Sequence, residues 1–348
     1  MTSAAPADRQ PGQEYPERMR WVARGVTADD VNAELDRLHR AAGGPGRVLA
    51  LARTLNLIVV PCPARCENEV ERALDGLGTH TPSRTMVLRE HNTSRLDASL
   101  VMECDTPAGA GRVGLCHDRV VLSMDIPRLE HSASLLAPLL LRDLATVVWL
   151  PEPALDVPDQ QLLERAQYVL VDSGAGDHED LRRLAELAAA IRVHDLAWGR
   201  LEYWRAAIAA AFEPAEPRAL LPKVTEVELR YEVRGLQAAL LLAGWLAARA
   251  GWSARDLQRQ NGTGRAAAAR EDGGEVSIKF TPAECQGGCG GVDRVVLRAG
   301  SDQVDVERGG ATSSLRNMFA EAIQPEPSFA RGYAPAVTAA AAMLDRAE

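Results

Sequence analysis

What restricts the fold most is a change of rhythm around residues 213–222, which read EPAEPRALLP and hold three prolines. Proline lacks the amide donor that helix interiors and central strands need, so such a cluster separates one packed region from the next. Before it, short apolar runs alternate with stretches of helical period. After it, a strand and a wholly apolar helix are followed by several short strands. Strands that alternate with helices imply helices laid on the faces of a sheet, whereas strands in succession pair directly. The expected layout is an α/β domain with a mixed sheet over residues 27–212, a linker at 213–222, and a smaller α+β domain with a mainly antiparallel sheet over 223–348. Residues 1–26 are polar and proline-bearing and read as a disordered tail. A length of 348 residues suits two domains.

Individual elements follow from periodicity. Thr27 can cap a helix whose apolar positions are Val31, Leu35 and Leu38, stopped by the glycines of 43–46. The run Leu57-Ile58-Val59-Val60 suits a strand covered on both faces. Segments 98–104 and 112–124 are joined by a short turn-rich link, which predicts an antiparallel pair. Residues 129–140 and 177–191 read as helices, 144–150 and 168–171 as strands. Beyond the prolines, 224–233 alternates like a half-buried strand, and 236–250 is apolar nearly all round, a buried helix that Gly251 would end. Short strands are expected at 276–280, 293–297 and 303–306, and closing helices near 315–323 and 335–344.

Composition excludes some functions. Lys and Arg number 39 against 48 Asp and Glu, a net charge of −9, so no cation excess exists to release counterions from a nucleic acid backbone. The longest apolar stretch, 238–248, has 11 residues against the roughly 20 a bilayer requires. The first twenty residues hold no apolar export core, and a cytoplasmic location is expected.

Residues 109–114 spell GAGRVG, a dinucleotide-type glycine pattern, but the next segment reads as a strand and offers no helix N-terminus to a pyrophosphate. A hairpin turn is expected there. The sequence contains no phosphate-cradling Walker loop, no G-x-S-x-G elbow and no H-E-x-x-H helix, and its histidines are scattered. No catalytic residue, cofactor or metal is expected. The spacing Cys62-x-x-x-Cys66 is wider than a zinc knuckle, and Cys104 and Cys116 read as core residues on neighbouring strands. Cys285 and Cys289 flank a glycine-bearing loop, either as a redox-responsive pair or as reduced thiols.

The densest constellation is residues 195–205, DLAWGRLEYWR. On a helix Trp198, Leu201, Trp204, Ile208 and Phe212 form one apolar stripe, and Arg205, two turns after Trp198, projects from it. A guanidinium there must snorkel or find a carboxylate, for which Asp143 and Asp172 are candidates. The stripe serves either as a tryptophan-anchored core or as a partner surface, since Trp and Arg dominate binding hot spots. Asp172 and Ser173 end an apolar strand before a helix, a place where α/β proteins collect ligands and where a cap or turn needs the same residues.

Residues 195–205 resemble the D-L-x-W-x-R-L-x-x-W-R stretch of the OpcA family of glucose-6-phosphate dehydrogenase assembly proteins. Residues 139–149, LLLRDLATVVW, are similar to that family's L-L-x-P-D-L-P-x-x-x-W segment. Residues 168–173 resemble its strand ending in D-S, 82–84 its P-S-R turn, and 244–249 its G-W-L-A-x-R helix. Arg142 and Ala145 stand where the family has prolines, and Leu150 replaces a second tryptophan. The resemblance implies a non-enzymatic accessory that promotes the oligomeric assembly and activity of glucose-6-phosphate dehydrogenase, at the entry to the oxidative pentose phosphate pathway. It points to Asp143, Trp149, Asp172, Ser173, Trp198, Arg200, Trp204 and Arg205 as partner-binding or domain-organising residues. Cyanobacterial relatives are linked to thioredoxin-type redox control, which makes thioredoxin an implied second partner; Cys285 and Cys289 match no local family motif. The rival reading is a stand-alone sugar-phosphate enzyme or sensor that uses Asp143, Asp172 and Ser173 with nearby arginines.

Overall fold

The computed structural model describes residues 18–42, 48–50, 53–75, 77, 81–105, 113–151, 157, 159–232, 234–260, 262–284, 291–307, 309 and 315–344. The chain divides into two compact units, one formed by Met1–Pro61 and Leu74–Thr146, the other by Cys62–Ala73 and Val147–Glu348. The proline-bearing stretch 213–222 falls inside the second unit, where Ala215–Leu220 is helical.

The first unit opens with β1 (Arg18–Ala23), a correction to the expectation of disorder throughout 1–26, because these residues pair antiparallel with a later strand. Helix α1 (Ala28–Ala42) starts at a reciprocal cap: the Thr27 amide donates to Asp30 at 2.9 Å and the Asp30 amide donates back to the Thr27 hydroxyl at 3.2 Å. Val31, Leu35 and Leu38 form its buried stripe, as their spacing predicts. Strands β2 (Val48–Ala50) and β3 (Leu55–Val59) follow, and every residue of β3 is buried, as a strand covered on both faces requires. Beyond α2 (Ala64–Asp75), most of which belongs to the second unit, come β4 (Ser83–Glu90), β5 (Asp97–Asp105) and β6 (Val113–Met124). β6 runs parallel to β2 and β4, β4 parallel to β3, and β5 pairs antiparallel with β6 and with β1.

The glycine pattern at 109–114 thus joins two antiparallel strands; its loop, 106–112, lies outside the described residues. The helix expected over 129–140 is broken into α3 (Ile126–Leu129) and α4 (Ser132–Leu136). Two cysteine expectations also change. Cys104 and Cys116, directly opposite in the β5–β6 register, are joined by a disulfide, and so are Cys62 and Cys66 at the start of α2. Register decides the first case: facing cysteines on paired strands have their β-carbons close enough to bridge.

In the second unit β7 (Ala145–Leu150), which enters it at Val147, precedes α5 (Gln161–Arg165), β8 (Tyr168–Val171), α6 (Asp180–Ala190) and β9 (Val193–Asp195); β7, β8 and β9 are parallel. Next come α7 (Leu196–Arg200), α8 (Glu202–Ala211), α9 (Ala215–Leu220) and β10 (Glu226–Glu232). Helix α10 (Leu236–Ala250) ends at Gly251, whose φ of 70° is the left-handed stop the sequence predicts.

The remaining elements are β11 (Ser253–Gln260), β12 (Thr263–Ala269), β13 (Glu275–Ala283), β14 (Val292–Ala299), β15 (Asp302–Glu307), α11 (Leu315–Ala322) and α12 (Tyr333–Leu344). They complete a six-stranded sheet in the order β11-β12-β13-β10-β14-β15, antiparallel except for the β10–β13 pair. α12 packs on α10 and α6. At that crossing the backbones almost touch: a β-carbon on Gly244 would come within 2.2 Å of the Ala336 carbonyl.

Candidate functional site

The parallel pairing of β8 with β9 sets Val171 opposite Asp195, so both strands deliver an aspartate at their carboxyl ends. Asp172 caps the turn after β8, taking the Gly174 amide at 3.1 Å. Asp195 caps α7 through the Ala197 amide at 2.9 Å and reaches across to Ser173, accepting its amide at 3.0 Å and its hydroxyl at 2.6 Å. All the donors on Asp195 are neutral. Burial, with the Asp172 charge nearby, pushes its carboxyl up to about 6 despite those bonds. Asp172 instead faces Arg200, which holds it with two guanidinium nitrogens, one at 3.0 Å. Burial works against the Arg200 charge, and the Asp172 carboxylate outweighs it, holding the guanidinium above its ordinary value. Gly174 makes room for this pair, because a β-carbon there would meet Arg200 Nη2 at 2.6 Å.

The tryptophan stripe is core. Trp198, Leu201, Trp204, Ile208 and Phe212 are all buried, although Leu201 (φ −87°, ψ 0°) interrupts the expected single helix between α7 and α8. Trp198 meets Tyr333 edge-on at 6.0 Å, and Trp149 tilts onto Phe319 at 4.5 Å. Arg205 departs from expectation: it pairs with neither Asp143 nor Asp172. Its Cζ lies 3.7 Å from the Trp198 ring centroid, and its guanidinium donates to the carbonyls of Trp198 at 2.6 Å and Phe329 at 3.3 Å. A ring face and two carbonyls satisfy this planar cation without a carboxylate. Burial lowers it to about 10, with Glu202 opposing, so it stays charged at neutral pH.

Asp143 is exposed in the turn before β7 and belongs to the first unit. Ser173 gives its hydroxyl to Asp195. Cys285 and Cys289 lie outside the described residues. Reasoning from sequence missed Asp195 as the centre of the cluster, and with it Tyr333 and Phe329, which arrive from the far end of the chain. Tyr333 is buried beside Asp195, and both effects push its hydroxyl well above the ordinary value.

The first unit carries a contrasting cluster. Asp118, in β6, is fully buried; Arg53 Nη2 stands 2.5 Å from it, His39 Nε2 3.0 Å and Arg84 Nε 3.6 Å. Burial alone would raise Asp118, but His39, Arg53 and Arg84 prevail and hold it below the usual carboxylate range. Arg84, which ends the P-S-R motif, lies in β4 and not in a turn, and it also donates to the Leu139 carbonyl at 2.9 Å. Among the described residues no three His, Cys, Asp or Glu side chains converge as a metal site, and no helix is long and apolar enough to cross a membrane.

Several known proteins are similar to this chain in sequence. Residues 75–189 match the family described as glucose-6-phosphate dehydrogenase subunit N-terminal domain, and 191–326 match the corresponding C-terminal domain, both OpcA families. The OxPP cycle protein OpcA of Synechocystis sp. is 25% identical over 249 residues, covering 69% of this chain and 51% of its own length. The OpcA of Nostoc punctiforme is 32% identical over 155 residues, 42% of this chain and 33% of its own. This chain therefore spans about half the length of the Synechocystis relative. Among solved structures, an oxidoreductase from Sinorhizobium meliloti aligns at TM-score 0.44 and 14% identity, covering 84% of this chain and 97% of that one. With two consecutive domain matches over residues 75–189 and 191–326, this chain belongs to the OpcA family.

Proposed function

We propose that the chain is a non-catalytic accessory of glucose-6-phosphate dehydrogenase, which binds that enzyme and promotes its oligomeric assembly and activity in the oxidative pentose phosphate pathway. The observation that carries this reading is the tandem match to domains described as subunits of that dehydrogenase. The geometry of the second unit is compatible with it. Asp195, Ser173 and Arg205 are engaged with one another's elements, which stiffens α7 and α8. What this rigid support presents to solvent is the Asp172–Arg200 pair and the ring of Tyr203, which is 44% exposed. Arg and Tyr on a rigid helix are favoured interface groups, because little side-chain freedom is lost on docking.

Activation needs no chemistry from the accessory. A protein that binds the assembled dehydrogenase more tightly than its separate subunits shifts that equilibrium by its difference in affinity. The test mixes the purified chain with the dehydrogenase of the same organism and records sedimentation together with initial rate. The expected result is a joint boundary, a larger dehydrogenase assembly and a faster rate, all weakened by Tyr203→Ala and Arg200→Ala. Separate boundaries and an unchanged rate would refute the reading.

A further inference from the structure

Beside β9, on the second unit, the end of α6 and the connection from α11 to α12 enclose a cleft of about 610 Å³. Small-molecule sites fall in this size range. Its wall carries apolar groups from Ile191, Val193 and Pro325, and two arginines, Arg192 and Arg331. Both are exposed, and neither forms an ion pair among the described residues. Arg192 is oriented across the cleft wall by a 3.0 Å bond from Nη1 to the Pro325 carbonyl, which leaves its other donors unused. Two uncompensated guanidiniums on one concavity are conspicuous in a chain of net charge −9. The one lining carboxylate, Glu326, pairs with neither.

The third polar group is His194, which lines the cleft and is fully buried. Its Nδ1 stands 2.7 Å from the Ala322 carbonyl, and a carbonyl only accepts, so Nδ1 carries the proton. Burial holds the ring neutral by lowering its proton affinity. Nε2 is therefore a bare acceptor, and it has no hydrogen-bond partner. A buried acceptor of this kind is satisfied by a hydroxyl, while paired guanidiniums suit the oxygens of a phosphate. We infer that this cleft binds a small phosphate monoester that also bears hydroxyl groups, with Arg192 and Arg331 on the phosphate and His194 Nε2 accepting from a hydroxyl. Tyr333 forms part of the same wall and also touches Trp198, so an occupant would sit against the aromatic cluster that supports α7.

Calorimetric titration of the full chain, without dehydrogenase, tests this independently of the accessory role. The titrants are glycerol 3-phosphate, glucose 6-phosphate, the two free polyols, inorganic phosphate and citrate. At least one ester should bind more tightly than inorganic phosphate, citrate and its own polyol. Arg331→Ala should weaken that binding tenfold or more, Arg192→Ala similarly, and Arg255→Ala, an exposed control outside the cleft lining, not at all. Because Arg331 is exposed, its variant is expected to keep the wild-type melting temperature, which circular dichroism checks. Failure of both esters to bind more tightly than inorganic phosphate, preference for citrate, or indifference to both arginine variants would overturn the assignment.

Discussion

Each unit buries a carboxylate completely, Asp118 in the first and Asp195 in the second, and the two solve the same problem in opposite ways. Asp118 is surrounded by Arg53, Arg84 and His39, which hold it ionised below its ordinary range. Asp195 is surrounded by two amides and a hydroxyl, and burial lifts it to about 6. Cations compensate a buried charge over the whole working pH range, whereas neutral donors orient a carboxylate while leaving its charge expensive. The first arrangement ties α1, β4 and β6 together. The second joins the ends of β8 and β9 to the start of α7 and leaves that junction titratable near neutrality.

The largest consequence is expected at Asp118. Asp118→Ala strands Arg53 and Arg84 without the carboxylate they share in a buried site and should destabilise the protein by about 3–5 kcal/mol, read as a lower urea midpoint. A change within about 1 kcal/mol would mean that the two arginines find water, and that the cluster is less closed than its exposures indicate.

The pH response of Asp195 comes next. Its folded value lies above the unfolded 3.8, so the native state holds the extra proton between the two, and its contribution to stability, roughly 3 kcal/mol, is lost as pH rises from about 4 through about 6. Asp118, held low, contributes stability above its unfolded value and loses it only as pH falls further, so it leaves that window flat. Asp195→Asn preserves the acceptor for both amides and can donate to the Ser173 hydroxyl; it should abolish the slope between pH 4 and 6. A slope that survives the substitution would place the titrating group elsewhere.

Arg205→Ala removes a stacked cation and two bonds to carbonyls, for a loss of about 1–3 kcal/mol. If activation of the dehydrogenase per folded molecule stays intact in this variant, Arg205 acts only through the core. At the bottom of the scale, Tyr203→Ala should move stability by no more than about 1 kcal/mol, because the ring is 44% exposed and its bond to the Glu307 carbonyl is long at 3.5 Å. Thermal melts read this directly, and any sizeable drop would make Tyr203 a packing residue and unsuited to its proposed surface role.

Much of the fold is legible in local pattern. β8 coincides with the predicted 168–171 and α10 with 236–250, because continuous or all-round apolarity leaves one solution each. β11 and β12 escaped notice because residues 253–269 hold arginines and alanines in place of β-branched side chains; the Asn261-Gly262 pair between them, with Gly262 at φ 79°, is the hairpin signal that could have found them. β1 was hidden by a polar neighbourhood, since its pairing partner lies some eighty residues away.

The candidate site divides likewise. Periodicity marks Trp198, Trp204 and Arg205 as one stripe, but the carbonyls of Trp198 and Phe329 that receive Arg205 have no sequence signature. Periodicity does not mark Asp195, and its bonds to Ser173 follow from strand register, which no local pattern encodes. The Asp118 cluster draws on α1, β4, β6 and the segment before β3, so only the tertiary fold brings its members together.

The most direct measurement is the initial rate of the cognate dehydrogenase as this chain is titrated into it, beside a sample holding the chain alone with the same substrates. A saturating rise in rate at a fixed molar ratio, with no turnover by the isolated chain, is the predicted outcome. A flat response, or product formed by the chain on its own, would contradict a protein that works by lending surface to an enzyme.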